Sequence, residues 1–224
     1  MSGNRLAENQ PEMFEFTAEN EQIADLIIAK YPSGRQASAV IPLLDLAQRQ
    51  HDNWLPRVAI ERVAEKLDMA PIRVLEVATF YTMFNLEPVG KYFLQVCKTT
   101  PCWLRGSDQV LKCIKDKVGI GSQETSKDGV FSLLEVECLG GCVNAPVVQV
   151  NDDFYEDLDY DSMGSLLHAL KQDDPPAPGS VIGRNQSEAV GGATTLTSIR
   201  ETDGVFSHNS HLREVAEEES GVDE

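Results

Sequence analysis

The chain has 224 residues, a formal net charge of −17, and 42% hydrophobic and 25% charged residues. That length buries one large core or two small ones, and no apolar run approaches the roughly 20 residues that span a bilayer. The acidity makes a nucleic-acid backbone or an anionic lipid surface a poor partner, and a basic protein a better one.

Along the chain, the first 25 residues hold one base, Arg5, against six acids. This is the reverse of a mitochondrial transit peptide and predicts a bacterial chain or one without its presequence. Thr17 then caps a helix with Glu19 and Glu21 in its first turn, Ile23, Leu26 and Ile27 as its buried stripe, and Pro32, Ser33 and Gly34 at its end. A second helix runs from about Ser38 to His51, with Val40, Leu43, Leu44 and Ala47 inward and Pro42 near the tolerant first turn. A third follows Pro56 and a fourth begins at Pro71. These predict a small helical bundle over residues 1–87. Residues 57–84 have the length and turn of a helix-turn-helix, which makes a DNA-binding regulator a distant alternative. Its charges argue otherwise, because Arg57, Arg62, Lys66 and Arg73 are matched by Glu61, Glu65, Asp68 and Glu76. Packing against a neighbouring protein is the better use of that surface.

Glu87, Pro88, Val89 and Gly90 mark a junction, after which the period becomes strand-like. A second domain is predicted over 88–172. Its order is strand 91–97, helix from about Trp103 to Val118, strand 130–137, a hairpin of Val147 to Val150 and Phe154 to Tyr155 turning at Asn151 to Asp153, and a helix from Asp161 to Lys171. In the 130–137 strand, Val130, Leu134 and Val136 share one face and Phe131, Leu133 and Glu135 the other, which predicts a sheet covered on both faces for part of its length. The alternation gives a small α/β sandwich. Asp152, Asp153, Glu156, Asp157, Asp159 and Asp161 read as solvated turn and first-turn acids. A calcium loop would need a glycine and a terminal glutamate that this spacing lacks. Asp173 to Gly179 reads as a linker into an acidic, flexible tail over 173–224, with eleven acids, three bases, and Leu196, Ile199, Val205 and Phe206 as its anchors.

The chemistry lies in four of the five cysteines, a C-x4-C pair at Cys97 and Cys102 and a C-x3-C pair at Cys138 and Cys142. Each pair sits at a strand end, where backbone can curl around an inorganic core. Gly140 and Gly141 between the second two permit positive φ and a close approach of amides to sulfur, and Thr99, Thr100 and Pro101 fill the first loop with hydroxyls and one rigid φ. A disulfide framework lacks a signal core before it. Structural zinc prefers a C-x2-C knuckle, and inert core thiols rarely come as two spaced pairs. An iron–sulfur cluster fits the spacing, with a two-iron or a four-iron core equally served. Cys113 stands apart as a buried or half-buried helical thiol beside Val110, Leu111, Ile114 and Val118.

The runs QVCKTTPCWLRGSD (95–108), EVECLGGCVNAP (135–146) and EVATFYTMFNLEPVGK (76–91) closely resemble the thioredoxin-like [2Fe-2S] subunit of respiratory complex I, the 24-kilodalton component of NADH-quinone oxidoreductase, over about Phe14 to Lys171. Related chains occur in NAD-linked hydrogenases and formate dehydrogenases, and SAVIPLLDLAQRQ (38–50) favours the complex I branch. The resemblance implies a thioredoxin-like ferredoxin domain with one [2Fe-2S] cluster on Cys97, Cys102, Cys138 and Cys142. It implies electron transfer beside the flavin- and NADH-binding subunit and other peripheral-arm subunits, with no nucleic acid and no membrane insertion. The place implied is the cytoplasmic side of a bacterial inner membrane or the mitochondrial matrix side. Activity belongs to the proton-translocating NADH:quinone oxidoreductase, not to the chain alone, which shows no G-x-G-x-x-G after a strand for NADH.

Overall fold

The computed structural model describes residues 6–192. Of these, the residues up to Gly183 form one compact unit, and a second starts at Arg184, where the Arg184 guanidinium donates to the Glu188 carbonyl at 2.9 Å.

Four α-helices come first: α1 (Ala18–Ala29), α2 (Val40–Gln50) entered through a 3-10 turn over Gln36–Ala39, α3 (Arg57–Lys66) and α4 (Pro71–Phe80). Thr17 caps α1 as expected, its hydroxyl accepting from the Asn20 amide at 3.2 Å. The buried stripe of α1 differs from expectation. Ala24 is buried and Ile27 and Ile28 pack beside it, whereas Leu26 is 67% exposed. The small Ala24 lets α1 lie close against its neighbours, and that contact turns Leu26 out to solvent. Leu43, Leu44, Ala47, Ile60, Val63 and Val74 fill the middle of this layer. Lys66 ties α3 to α1 through Glu21 and Asp25 at 2.6 and 2.7 Å.

The second layer set is a six-stranded sheet. Its elements in chain order are β1 (Tyr92–Cys97), α5 (Thr100–Leu104), α6 (Ser107–Val118), β2 (Glu124–Thr125), β3 (Phe131–Val136), β4 (Val148–Val150), β5 (Asp153–Glu156), α7 (Tyr160–Lys171) and β6 (Gly179–Ser180). The strand order is β2-β3-β1-β4-β5-β6. β1 runs parallel to β3, with Tyr92 opposite Phe131 and Cys97 opposite Val136, so both strands deliver their carboxyl ends, and the cysteines beyond them, to the same edge. A parallel pair needs a crossover, here supplied by α5 and α6. β4 and β5 form the expected hairpin, with Asn151 at φ 53 in its turn. The Asn151 side chain accepts from the Phe93 amide at 2.9 Å and donates to the Lys91 carbonyl at 3.0 Å, fastening the hairpin to β1. Asp159 and Ser162 close a capping box on α7.

Three further expectations need correction, and the short strand β2 is unexpected. The helix from Trp103 to Val118 is two helices, because Gly106 takes φ 102 between them. The sheet is covered by helices on one face, where α6 and α7 bury Leu94, Val96, Leu133 and Val148. On the other face Phe93, Leu134 and Gln149 stay half-buried, and a cleft of about 380 Å³ opens among Gln48, Asn53, Asn85, Gln95, Gln149 and Asn151. Arg49 of α2 crosses to the sheet there, with two hydrogen bonds to Asp152 at 2.7 and 3.0 Å. Strand β2 is too short to leave a period of its own. Finally, the stretch from Asp173 to Gly179 is no free linker: Lys91 and Tyr92 bond Asp173, the Tyr155 hydroxyl donates to the Pro176 carbonyl at 3.1 Å, and β6 pairs with β5. A sheet edge accepts proline-rich extended chain that composition alone reads as a spacer. The expected tail anchors Leu196, Ile199, Val205 and Phe206 lie outside the described residues. Among the described residues no helix is long and apolar enough to cross a membrane.

Candidate metal centre

All four expected ligands sit where β1 and β3 end. Cys97 is the last residue of β1 and Cys102 lies in α5, five residues on; both are 1% exposed. They share an apolar shell of Ala145 and Val147, with Leu139 and Phe154 packed against it. Cys138 and Cys142 follow β3 and are exposed, their sulfurs 3.5 Å apart. Cys113 is buried in α6 among Val110, Ile114 and Met163 and takes no part.

The geometry fits a dinuclear core. Two thiolates on one tetrahedral metal at about 2.3 Å stand roughly 3.8 Å apart, close to the Cys138–Cys142 separation. The set is two pairs, and a two-iron core takes two thiolates on each iron.

Electrostatics point the same way. Burial pushes the Cys97 thiol up, but the Thr99 hydroxyl, the Leu139 and Thr99 amides and the Cys102 side chain outweigh it and leave it below its ordinary value. Cys102 is pushed up to about 12, first by burial and then by its hydrogen bond to Cys97 and the neighbouring charges of Cys97 and Cys142, against a smaller lowering by the Val147 amide. The bond to Cys138 likewise raises Cys142, with burial and the charges of Cys138 and Cys97 behind it. Cys102 and Cys142, whose ionisation the neighbouring sulfurs oppose, are costly to ionise without a cation and favourable around a metal core. Backbone donors are already aimed at them. The Gly140 amide reaches the Cys138 sulfur at 3.4 Å with Gly140 at φ 87, a conformation that a side chain would strain, and the Val147 amide serves Cys102. Gly141 has negative φ and is instead a matter of room, since a Cβ there would stand 3.1 Å from the Val147 side chain. Sequence reasoning missed the Lys98–Glu135 ion pair beside Cys97; it offered the Thr99 hydroxyl, which lies 3.4 Å from the Cys97 sulfur. The ion pair follows from the β1–β3 register, which local patterns do not carry.

A thioredoxin-like α/β layer that gathers four thiols at one edge, two buried and two exposed, defines a ferredoxin-type metalloprotein. The model of the thioredoxin-like [2Fe-2S] ferredoxin family matches residues 24–171, and the chain belongs to that family. It is 58% identical over 160 residues to an NADH-quinone oxidoreductase subunit from Rickettsia bellii, covering 71% of this chain and 96% of that one. It is 48% identical over 188 residues to the mitochondrial NADH dehydrogenase [ubiquinone] flavoprotein 2 of Dictyostelium discoideum, covering 84% of this chain and 76% of that one. Among solved structures it is similar to an NAD+-reducing [NiFe]-hydrogenase in the air-oxidized state, with a TM-score of 0.52 and 18% identity over 59% of this chain and 23% of that one. That likeness speaks to the fold alone.

Proposed function

We propose that the chain is the electron-transfer subunit of an NADH-quinone oxidoreductase, holding one [2Fe-2S] cluster on Cys97, Cys102, Cys138 and Cys142. The observation that carries this is the pair of thiol pairs at one sheet edge, in a chain 58% identical to a bacterial NADH-quinone oxidoreductase subunit. When bound, the cluster supplies one-electron exchange. The chain's own residues do the rest. Ala145, Val147 and Leu139 keep water from the buried pair, amides of Thr99, Leu139, Gly140 and Val147 donate to sulfur, and the exposed pair leaves an open side for a partner. That partner is the flavin- and NADH-binding subunit of the same complex, on the cytoplasmic or matrix side of the membrane. The partition into bundle (1–87) and cluster domain (from 88) belongs to this proposal, supported by separate hydrophobic clusters before and after residue 88; the expected boundary between 172 and a tail over 173–224 is not part of it, because β6 pairs with β5 and the compact unit runs on to Gly183.

An equivalent subunit of an NAD-linked hydrogenase or formate dehydrogenase would use the same site, and the high identity to the Rickettsia protein favours the first host. DNA recognition finds no support, since Arg73 of α4 is engaged by Glu76 at 2.8 Å. The test is direct. Anaerobically purified protein should contain two irons and two sulfides, and should bleach with dithionite but not with NADH until the flavoprotein partner is added. Rapid bleaching by NADH alone, or a colourless protein with bound zinc, overturns the reading.

A further inference from the structure

Thr99 occupies the N-cap position of α5, where a threonine hydroxyl ordinarily accepts from the amide of the second or third helical residue. It makes no such bond. The second helical residue is Pro101, which has no N–H to give, so only the Cys102 amide was open to it. The hydroxyl turns the other way and lies 3.4 Å from the Cys97 sulfur, its only hydrogen-bond partner among the described residues. The helix is held instead by main chain, the Trp103 amide donating to the Thr99 carbonyl at 2.9 Å. A side chain with a local use has been turned to the sulfur.

We propose that Thr99 is a positioning residue that sets the reduction potential of the cluster through its hydroxyl. The inference rests on the reading in which Cys97 holds iron. An iron-bound thiolate has no proton, so the hydroxyl is the donor. On reduction, one electron from the partner or from dithionite adds one unit of negative charge that spreads onto the sulfurs. A donor aimed at a sulfur stabilises that added charge and raises the potential. Thr99 is half-buried and Cys97 is 1% exposed, so water is poorly placed to replace the bond if the hydroxyl is removed.

The experiment compares the full-length wild type with Thr99→Val and Thr99→Ser, each with its cluster, by redox titration followed by electron paramagnetic resonance. Iron, sulfide and melting temperature are measured on the same samples. Thr99→Val keeps shape and loses the donor, so its midpoint should fall while Thr99→Ser stays with the wild type. Melting should be unchanged in both, because no cap bond is lost. An unchanged midpoint in Thr99→Val overturns the inference, as does an equal shift in Val and Ser variants; a fall in melting with no change in midpoint would mark Thr99 as a helix cap and overturn it too. Should Thr99→Val fail to hold the cluster, Thr99→Ala reads the same contact with the same outcomes. A wild type lacking iron and sulfide would instead overturn the proposed function, and this inference with it.

Discussion

Gly90→Ala should destabilise the protein although glycine there is not required by backbone conformation. A Cβ built on Gly90 meets the Phe131 carbonyl carbon at 2.7 Å, the Ser132 nitrogen at 2.9 Å and the Phe131 nitrogen at 3.0 Å. All three are main-chain atoms of β3, so no side chain can swing aside. The start of β1 must move away instead. Three hydrogen bonds hold it there, from Gly90 to the Ser132 hydroxyl at 2.7 Å, from Lys91 to the Gly129 carbonyl at 3.1 Å and from Tyr92 to the Val130 carbonyl at 2.8 Å. Overpacking of this kind costs about 1–3 kcal/mol and a weakened hydrogen bond about 1 more, offset by roughly 0.4–1 kcal/mol from the lower entropy of an unfolded alanine. The net is about 1–3 kcal/mol, or roughly 3–10 °C in melting temperature for a chain of this size. Gly90 and Cys97 are seven residues apart on an extended strand, about 23 Å, so the visible spectrum of the cluster should be preserved. Calorimetry and the spectrum together decide the matter. Melting within about 1 °C of wild type would refute the close-approach argument.

Serine at Cys97, Cys102, Cys138 or Cys142 should remove the visible bands by replacing a soft ligand with a hard one, while Cys113→Ala should keep them; a bleached Cys113→Ala protein would contradict the ligand assignment. The Arg49 hydrogen bonds hold the Asp152 carboxyl below its ordinary value. A depressed carboxyl contributes stability above its unfolded pKa of about 3.9 and loses it as pH falls through the folded value, so the Arg49→Ala penalty should vanish in acid. At neutral pH it should reach no more than about 1 kcal/mol, because Arg49 and Asp152 are 51% and 69% exposed; chemical denaturation at two pH values measures both. Truncation after Lys171 removes the Asp173, Pro176 and β6 contacts, whereas truncation after Gly183 leaves them. The shorter chain should therefore melt lower by about 2–6 °C, and equal melting of the two would show that these contacts contribute nothing.

Much of this was legible because local chemistry carried it. Period and caps located α2, α7 and the Asn151 hairpin, and spacing alone singled out four of five cysteines. What escaped depends on residues far apart in the chain. Gly90 reads as a turn glycine until β3 is laid beside it, and Arg49 shows only its helical neighbour Asp45 as a partner until Asp152 arrives from the hairpin. The α1 stripe shifted because Ala24, weakly hydrophobic, is worth more as a point of close approach than Leu26 as an apolar contact. Thr99 was visible as one hydroxyl among several; only the geometry shows that it forgoes the cap.

Phe80, Trp103, Leu104 and Val143 are 76%, 55%, 70% and 60% exposed, on a chain that carries −17. Apolar side chains left uncovered pull copies together, and like charge pushes them apart. The push is screened over about 10 Å in 0.1 M salt and about 3 Å in 1 M, while the pull is not. Colloidal stability of the isolated chain should therefore fall as salt rises, the opposite of a protein that salts in. Dilute buffer is the condition under which this protein keeps to itself until its neighbours cover it.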